Sequence, residues 1–146
     1  MPGAASLRAG RYYAHPHNAF WRIMGELFGA GPDIPYDKRI GVLKRAGLAL
    51  WDVMASCLRE GSLDADIDES SIVANDFNAF FAEHPLVSDV FFNGAKAEHS
   101  FRRYVRPNLA VCDVRFTRLP STSPAHASMP WTQKLLAWQA VADALK

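Results

Sequence analysis

Apolar residues recur at helical spacing in five stretches of the chain and run together in three others, and this alternation sets the first reading of the fold. Phe20, Trp21, Met24, Leu27 and Phe28 fall three and four apart after Asn18, a residue able to cap a helix, and Gly29 and Gly31 end the run. A second short helix is predicted between Tyr36 and Ala46 from Ile40 and Leu43, with Gly47 as its stop. Asn75 or Asp76 can cap a third carrying Phe77, Phe80 and Phe81, which His84 and Pro85 end. Ala97, Phe101, Tyr104 and Val105 mark a fourth. Pro130 suits the first turn of a last helix bearing Trp131, Leu135, Trp138 and Leu145. The apolar runs Leu48 to Met54, Val87 to Asn93 and Val111 to Thr117 read as buried strands. Residues 1–16 and 56–74 hold no sustained period and read as irregular segments.

Buried strands alternating with amphipathic helices predict an α/β fold, three layers in which helices cover both faces of a short, mostly parallel central sheet. Ligands of such sheets sit at the carboxyl ends of the strands. Asp52, Asn93 and the loop from Pro120 to His126 lie at or just after the three predicted strand ends, which makes their shared rim the expected site.

The chain has 146 residues, 49% of them hydrophobic and 12% aromatic, enough for one globular domain over 1–146 with its own core. Cys57 and Cys112 form no CxxC and no Cys/His cluster, so they read as reduced thiols and no zinc site is expected. The net charge of +1 does not announce a nucleic-acid binder. Distribution leaves room for one, since Arg102, Arg103, Arg106, Arg115 and Arg118 crowd the last third while Asp64, Asp66, Asp68 and Glu69 gather in the middle. No stretch is apolar over the ~18 residues of a membrane span and no signal pattern opens the chain, so the expected place is the cytoplasm. Neither GxGxxG nor GxxxxGK[ST] follows a strand, which disfavours a nucleotide-phosphate fold.

Three segments carry the candidate chemistry. Pro2-Gly3-x-x-Ser6 leads into Tyr12-Tyr13-Ala14-His15-Pro16-x-Asn18-x-Phe20-Trp21, Gly47 to Val53 follows, and Leu119-Pro-Ser-Thr-Ser-Pro-Ala-His126 closes the set, with Phe91 to Lys96 in support. In that order they resemble the uracil-DNA glycosylase superfamily over essentially the whole chain, most closely its DNA-deoxyinosine (hypoxanthine) branch. The resemblance implies a monomeric, monofunctional enzyme that hydrolyses the N-glycosidic bond of a deaminated base in DNA without metal or other cofactor. A glycosylase must extrude the nucleotide, grip the base and stabilise positive charge on the sugar. The resemblance assigns Phe20 to stack on the base, with core packing as its other role, and Tyr13 and His15 to the pocket wall. Asn18 would orient the attacking water, although it is also a good helix cap. Asp52 would accept the N1–H of hypoxanthine or the N3–H of uracil without separating the two, and Asn93 would contact the base or brace the site. Ser121, Thr122 and Ser123 would meet phosphates, as would Lys96, and His126 would act near the leaving base or a phosphate. Lyase chemistry at Lys96 is not expected, since nothing in the sequence lowers its pKa.

Two departures from the family pattern bear on these expectations. Relatives open with a buried strand ending just before the Pro-Gly motif, whereas this chain starts inside that motif, so the first strand is expected to be missing and the domain N-terminally truncated. Many relatives also place a polar catalytic residue directly before Pro-Gly, where this chain has Met1, which shifts the burden toward Asn18. The alternatives are a uracil or mismatch glycosylase, and a DNA-binding remnant without turnover.

Overall fold

A computed structural model describes residues 1–61, 63–111 and 113–146. The thiol reading of Cys112 lies outside the described residues; Cys57 carries a free thiol. In chain order the elements are α1 (Ala4–Ala9), α2 (Phe20–Phe28), α3 (Tyr36–Arg45), β1 (Met54–Arg59), β2 (Ile67–Ala74), α4 (Phe77–Glu83), β3 (Asp89–Asn93), α5 (Ala95–Tyr104), β4 (Arg115–Leu119) and α6 (Trp131–Asp143). They fall into two compact units. A terminal unit holds Pro2–Trp51 and Pro120–Lys146, and a central unit holds Asp52–Leu119 with Met1.

In the terminal unit, α2 buries Phe20, Trp21, Ile23 and Met24, the face its spacing predicts, and packs on α6 through Trp138. Gly29 ends α2 at φ 74°, a left-handed conformation that glycine adopts without steric cost, and its N–H returns to the Gly25 carbonyl at 2.9 Å. Ala4–Ala9 forms a short helix where an irregular segment was expected. Its residues Ala4, Ala5, Leu7 and Arg8 are good helix formers, too few to show a period.

The central unit is built on a parallel pair, β3 and β4, in register from Asp89 opposite Arg115 to Asn93 opposite Leu119, with α5 as the crossover. Phe101 of α5 is 1% exposed and meets Phe77, Phe92 and Phe116 with ring centroids 5.0 to 5.2 Å apart. Asp76 caps α4, its carboxylate accepting the Ala79 N–H at 3.0 Å.

The α/β class stands, and the strand assignments need three corrections. Leu48 to Val53 forms no strand: these residues are half-buried or exposed, Trp51 is 43% exposed, and no strand pairs with them among the described residues. Asp52 therefore precedes β1 rather than ending a strand. Residues 56–74, expected to be irregular, contain most of β1 and all of β2, an antiparallel ribbon with two register shifts. Exposed residues lie on both faces of the ribbon, so no apolar alternation betrays it. Its polar side chains bond locally instead, Ser71 Oγ accepting from Leu58 N at 2.7 Å and donating to the Asp68 carbonyl at 2.6 Å. The third predicted strand starts later, at Arg115, because Val111 and Val114 pack against the phenylalanine cluster from a loop. Of the two strand pairs among the described residues only β3–β4 is parallel, so the expectation of a mostly parallel sheet gives way to one parallel and one antiparallel pair. No helix among the described residues is long and apolar enough to cross a membrane.

Candidate functional site

The terminal unit gathers the first and last of the three motifs. Tyr12 is held at both backbone groups: its N–H donates to Tyr36 Oη at 3.1 Å and its carbonyl accepts from Trp21 Nε1 at 2.9 Å. Arg39 lies over the rings of Trp21 and Tyr36, at 4.9 and 5.8 Å, and Arg11 over Tyr36 at 5.3 Å. On the far side of Tyr13, the Ala14 N–H donates to the buried Ser6 Oγ at 3.0 Å. Between these clamps Tyr13 adopts φ 54°, the one non-glycine residue with positive φ among those described, and its ring stacks on Phe20 at 4.0 Å and 23°. Phe20 is 2% exposed, its edges meeting Trp21 and Trp138.

Asn18 precedes α2 and turns its side chain onto it, Oδ1 accepting the Phe20 N–H at 3.0 Å. The next N–H, of Ala19, donates to the Thr122 carbonyl at 3.0 Å and ties the start of α2 to the 120–126 loop. That loop is braced within itself. Ser121 Oγ accepts from Ser123 N and Ser123 Oγ from Ala125 N, both at 3.2 Å, while Trp138 Nε1 donates to the Pro120 carbonyl at 2.9 Å. The serine hydroxyls keep their protons to donate. Thr122 is 1% exposed, which closes it to a phosphate and corrects its expected role: it anchors the loop. His126 is half-buried; its N–H donates to the Ser123 carbonyl and its own carbonyl accepts from Lys134 Nζ, each at 3.0 Å. Lys134 is buried, and burial pushes its ammonium pKa down.

Asp52, Asn93 and Lys96 belong to the central unit. The Asp52 main-chain carbonyl accepts from Asn75 Nδ2 at 2.7 Å, and burial pushes its carboxyl pKa up. Asn93 ends β3, where Gly94 at φ 93° turns the chain into α5 and donates to the Leu119 carbonyl at 3.0 Å. Lys96 is ion-paired with Glu69, whose other oxygen accepts from Tyr104 Oη at 2.8 Å. Its charge is thus neutralised locally, which removes the simplest basis for a phosphate contact.

Charge divides sharply between the units. The terminal unit carries nine Lys and Arg against four Asp and Glu, the central unit seven against eleven, so a net +1 conceals +5 and −4. The arginines of the last third, the sequence-level candidates for a nucleic-acid face, sit on the acidic side. Arg102 and Arg118 pair with Glu98 at 2.9 and 3.3 Å, and Arg115 forks onto Asp89 at 2.7 and 2.9 Å, which holds the Asp89 carboxyl below its usual range. In the terminal unit the only ion pair among the described residues is Lys146 with Asp143, and Arg8, Arg11 and Arg22 are exposed. Sequence reasoning missed this half of the charge map because its cations are scattered along the chain. It also missed the roles of Tyr36 and Lys134, and the bonds that Ser6 and Trp138 make, because these are contacts that no local spacing signals.

No protein-family model matches the chain. Over 98 residues it is 39% identical to a hypoxanthine DNA glycosylase of Methanosarcina barkeri and 38% identical to a hypoxanthine DNA glycosylase of Methanosarcina acetivorans. Each match covers 66% of this chain and 61% of the relative's length. The fold matches a solution structure from Methanosarcina acetivorans, described as a candidate uracil DNA glycosylase, with a TM-score of 0.77 and 32% identity over 99% of this chain and 85% of that one. With this likeness running through nearly the whole chain, and with the Asn18 and 120–126 motifs joined in one unit, the chain belongs to the uracil-DNA glycosylase superfamily.

Proposed function

We propose that the chain is a monofunctional DNA glycosylase that hydrolyses the N-glycosidic bond of deoxyinosine, releasing hypoxanthine and leaving an abasic site, and that it works as a monomeric cytoplasmic domain. The observation that carries the reading is the union of Asn18 with the 120–126 loop in a terminal unit of net +5, in a chain similar to two hypoxanthine DNA glycosylases.

In the reaction the bond from the anomeric carbon to the base nitrogen breaks with its electrons going to the base, while water attacks the carbon and loses a proton. Asn18 Oδ1 has one lone pair on the Phe20 N–H. The second is left to accept from the water, and the amide N–H groups are left to donate, so the turn bond to the first residue of α2 fixes the side chain for its catalytic task. His126 is placed by its loop to stabilise the departing base or a neighbouring phosphate. Ser121 and Ser123 donate to the phosphodiester, and exposed arginines of the terminal unit supply the sequence-independent attraction to DNA. Asp52 offers its carboxylate to accept the N1–H of hypoxanthine. Uracil offers a similar edge in N3–H and O4, and the likeness to a candidate uracil DNA glycosylase keeps that base as the second reading.

The deciding experiment measures free base released from duplexes carrying hypoxanthine, uracil or thymine at one position, with Asn18→Ala alongside. Hypoxanthine release that the variant loses is the expected result. Preferential uracil release supports the second reading, and release of no base by the unaltered protein overturns both.

A further inference from the structure

We infer that Lys134 is a positioning residue for base release: with Trp138, one turn further along α6, it clamps the 120–126 loop at both ends and so fixes His126 relative to Asn18. The inference rests on the glycosylase reading above. Among the described residues the loop is tied to the rest of its unit at three main-chain carbonyls. That of Pro120 accepts from Trp138 Nε1 at 2.9 Å, that of Thr122 from the Ala19 N–H at 3.0 Å, and that of His126 from Lys134 Nζ at 3.0 Å. The first two ties lead to Asn18. The Trp138 ring meets Phe20 edge-on at 5.8 Å, Asn18 Oδ1 accepts the Phe20 N–H, and Ala19 is the residue between them. The His126 N–H bonds to Ser123 inside the loop, which leaves Lys134 to tie that end to the unit.

A lysine is a costly choice for this place. Residues four apart share a helix face, and this face of α6 is the inward one, with Lys134, Trp138 and Val141 all buried. A leucine or methionine would lie there without desolvating a charge. Lys134 is 6% exposed, and no carboxylate pairs with it among the described residues, so its ammonium leaves water for the His126 carbonyl, and that burial pushes its pKa down. What the ammonium supplies is reach and strength. Four methylenes follow the apolar face, and the head makes a charge-assisted bond, roughly twice as strong as a neutral one. His126 is placed to meet the departing base or a phosphate, where a displacement of about 1 Å can slow a reaction about a hundredfold. Stability is given up for a loop end that cannot drift.

The test compares the unaltered protein with Lys134→Met, which keeps an apolar stem and removes the ammonium, and with Lys134→Ala. Two quantities are read, thermal melting and the single-turnover rate of hypoxanthine release at saturating protein. Lys134→Met is expected to melt no lower than the unaltered protein, since no charge is left buried, and to release base about tenfold to a hundredfold more slowly. In Lys134→Ala, propylammonium fits the space of the lost stem and head and should restore the rate severalfold, whereas tetramethylammonium at equal ionic strength should not. Lys134→Met with the unaltered rate overturns the inference alone. So does a rate that falls only together with the melting temperature and that propylammonium leaves unchanged, since the side chain would then serve packing. No base release by the unaltered protein overturns the glycosylase reading and this inference together.

Discussion

Asn18 has two tasks that one substitution cannot separate and a pair can. Asn18→Ala removes both the Oδ1 that accepts the Phe20 N–H and the amide donors, and is expected to lower stability by about 1 kcal/mol and base release by about a hundredfold or more. Asn18→Asp keeps the acceptor, so thermal melting stays near that of the unaltered protein while base release falls, and the split is read by comparing melts with single-turnover rates. At Asp52 the prediction concerns pH. Burial raises its folded pKa above the unfolded value, so the native state holds the proton more tightly, and stability is lost as pH rises from about 4 through the raised pKa. Asp52→Asn removes that loss. Urea melts across the acid range should show the variant gaining on the unaltered protein as pH rises, with a constant difference above the raised pKa.

At the scale of elements, β3, α5 and β4 hold together through Phe101, which Phe77, Phe92 and Phe116 surround. Phe101→Ala is expected to cost about 3 to 5 kcal/mol in urea unfolding, because a closed aromatic cluster cannot collapse onto the vacated volume. The helices from α2 onward were legible from their apolar spacing, whereas the six-residue α1 was not: α2 begins two residues after Asn18 and ends at Gly29, and α4 follows the Asp76 cap. The ribbon β1–β2 was not legible, since a strand with exposed residues on both faces leaves no period of two in its hydrophobicity. Leu48 to Met54 misled in the opposite sense. A strand is made by its partner, and of this run only Met54, opposite Ala74, has one, so Leu48 to Val53 stays irregular.

For the whole molecule the division of charge has a measurable consequence. Arg8, Arg11 and Arg22 are exposed in a unit of net +5, Arg11 and Arg22 lying over the rings of Tyr36 and Trp131, whereas Arg102 and Arg115 are ion-paired in a unit of net −4. Replacing the first three with Gln should weaken binding to undamaged duplex and flatten its salt dependence by about 0.9 in log–log slope for each phosphate contact removed. Replacing Arg102 and Arg115 should leave the slope unchanged, as fluorescence anisotropy over a salt series would show.

What the sequence determined by itself was the α/β class, the helices from α2 onward and the family, since these rest on local periodicity and on the order of the motif side chains along the chain. It also marked Asn18, Phe20, Tyr13 and the 120–126 loop as candidates. The tertiary structure decided what those residues can reach: that Phe20 is sealed beneath Tyr13, that Thr122 is an anchor, that Lys96, Arg102, Arg115 and Arg118 are paired with acids, and that the terminal unit carries the net positive charge. Exposure, pairing and backbone strain depend on residues brought together from distant parts of the chain. The bond from Tyr12 N to Tyr36 Oη, which spans 24 residues and helps to hold Tyr13 in its left-handed turn, has no local trace in the sequence.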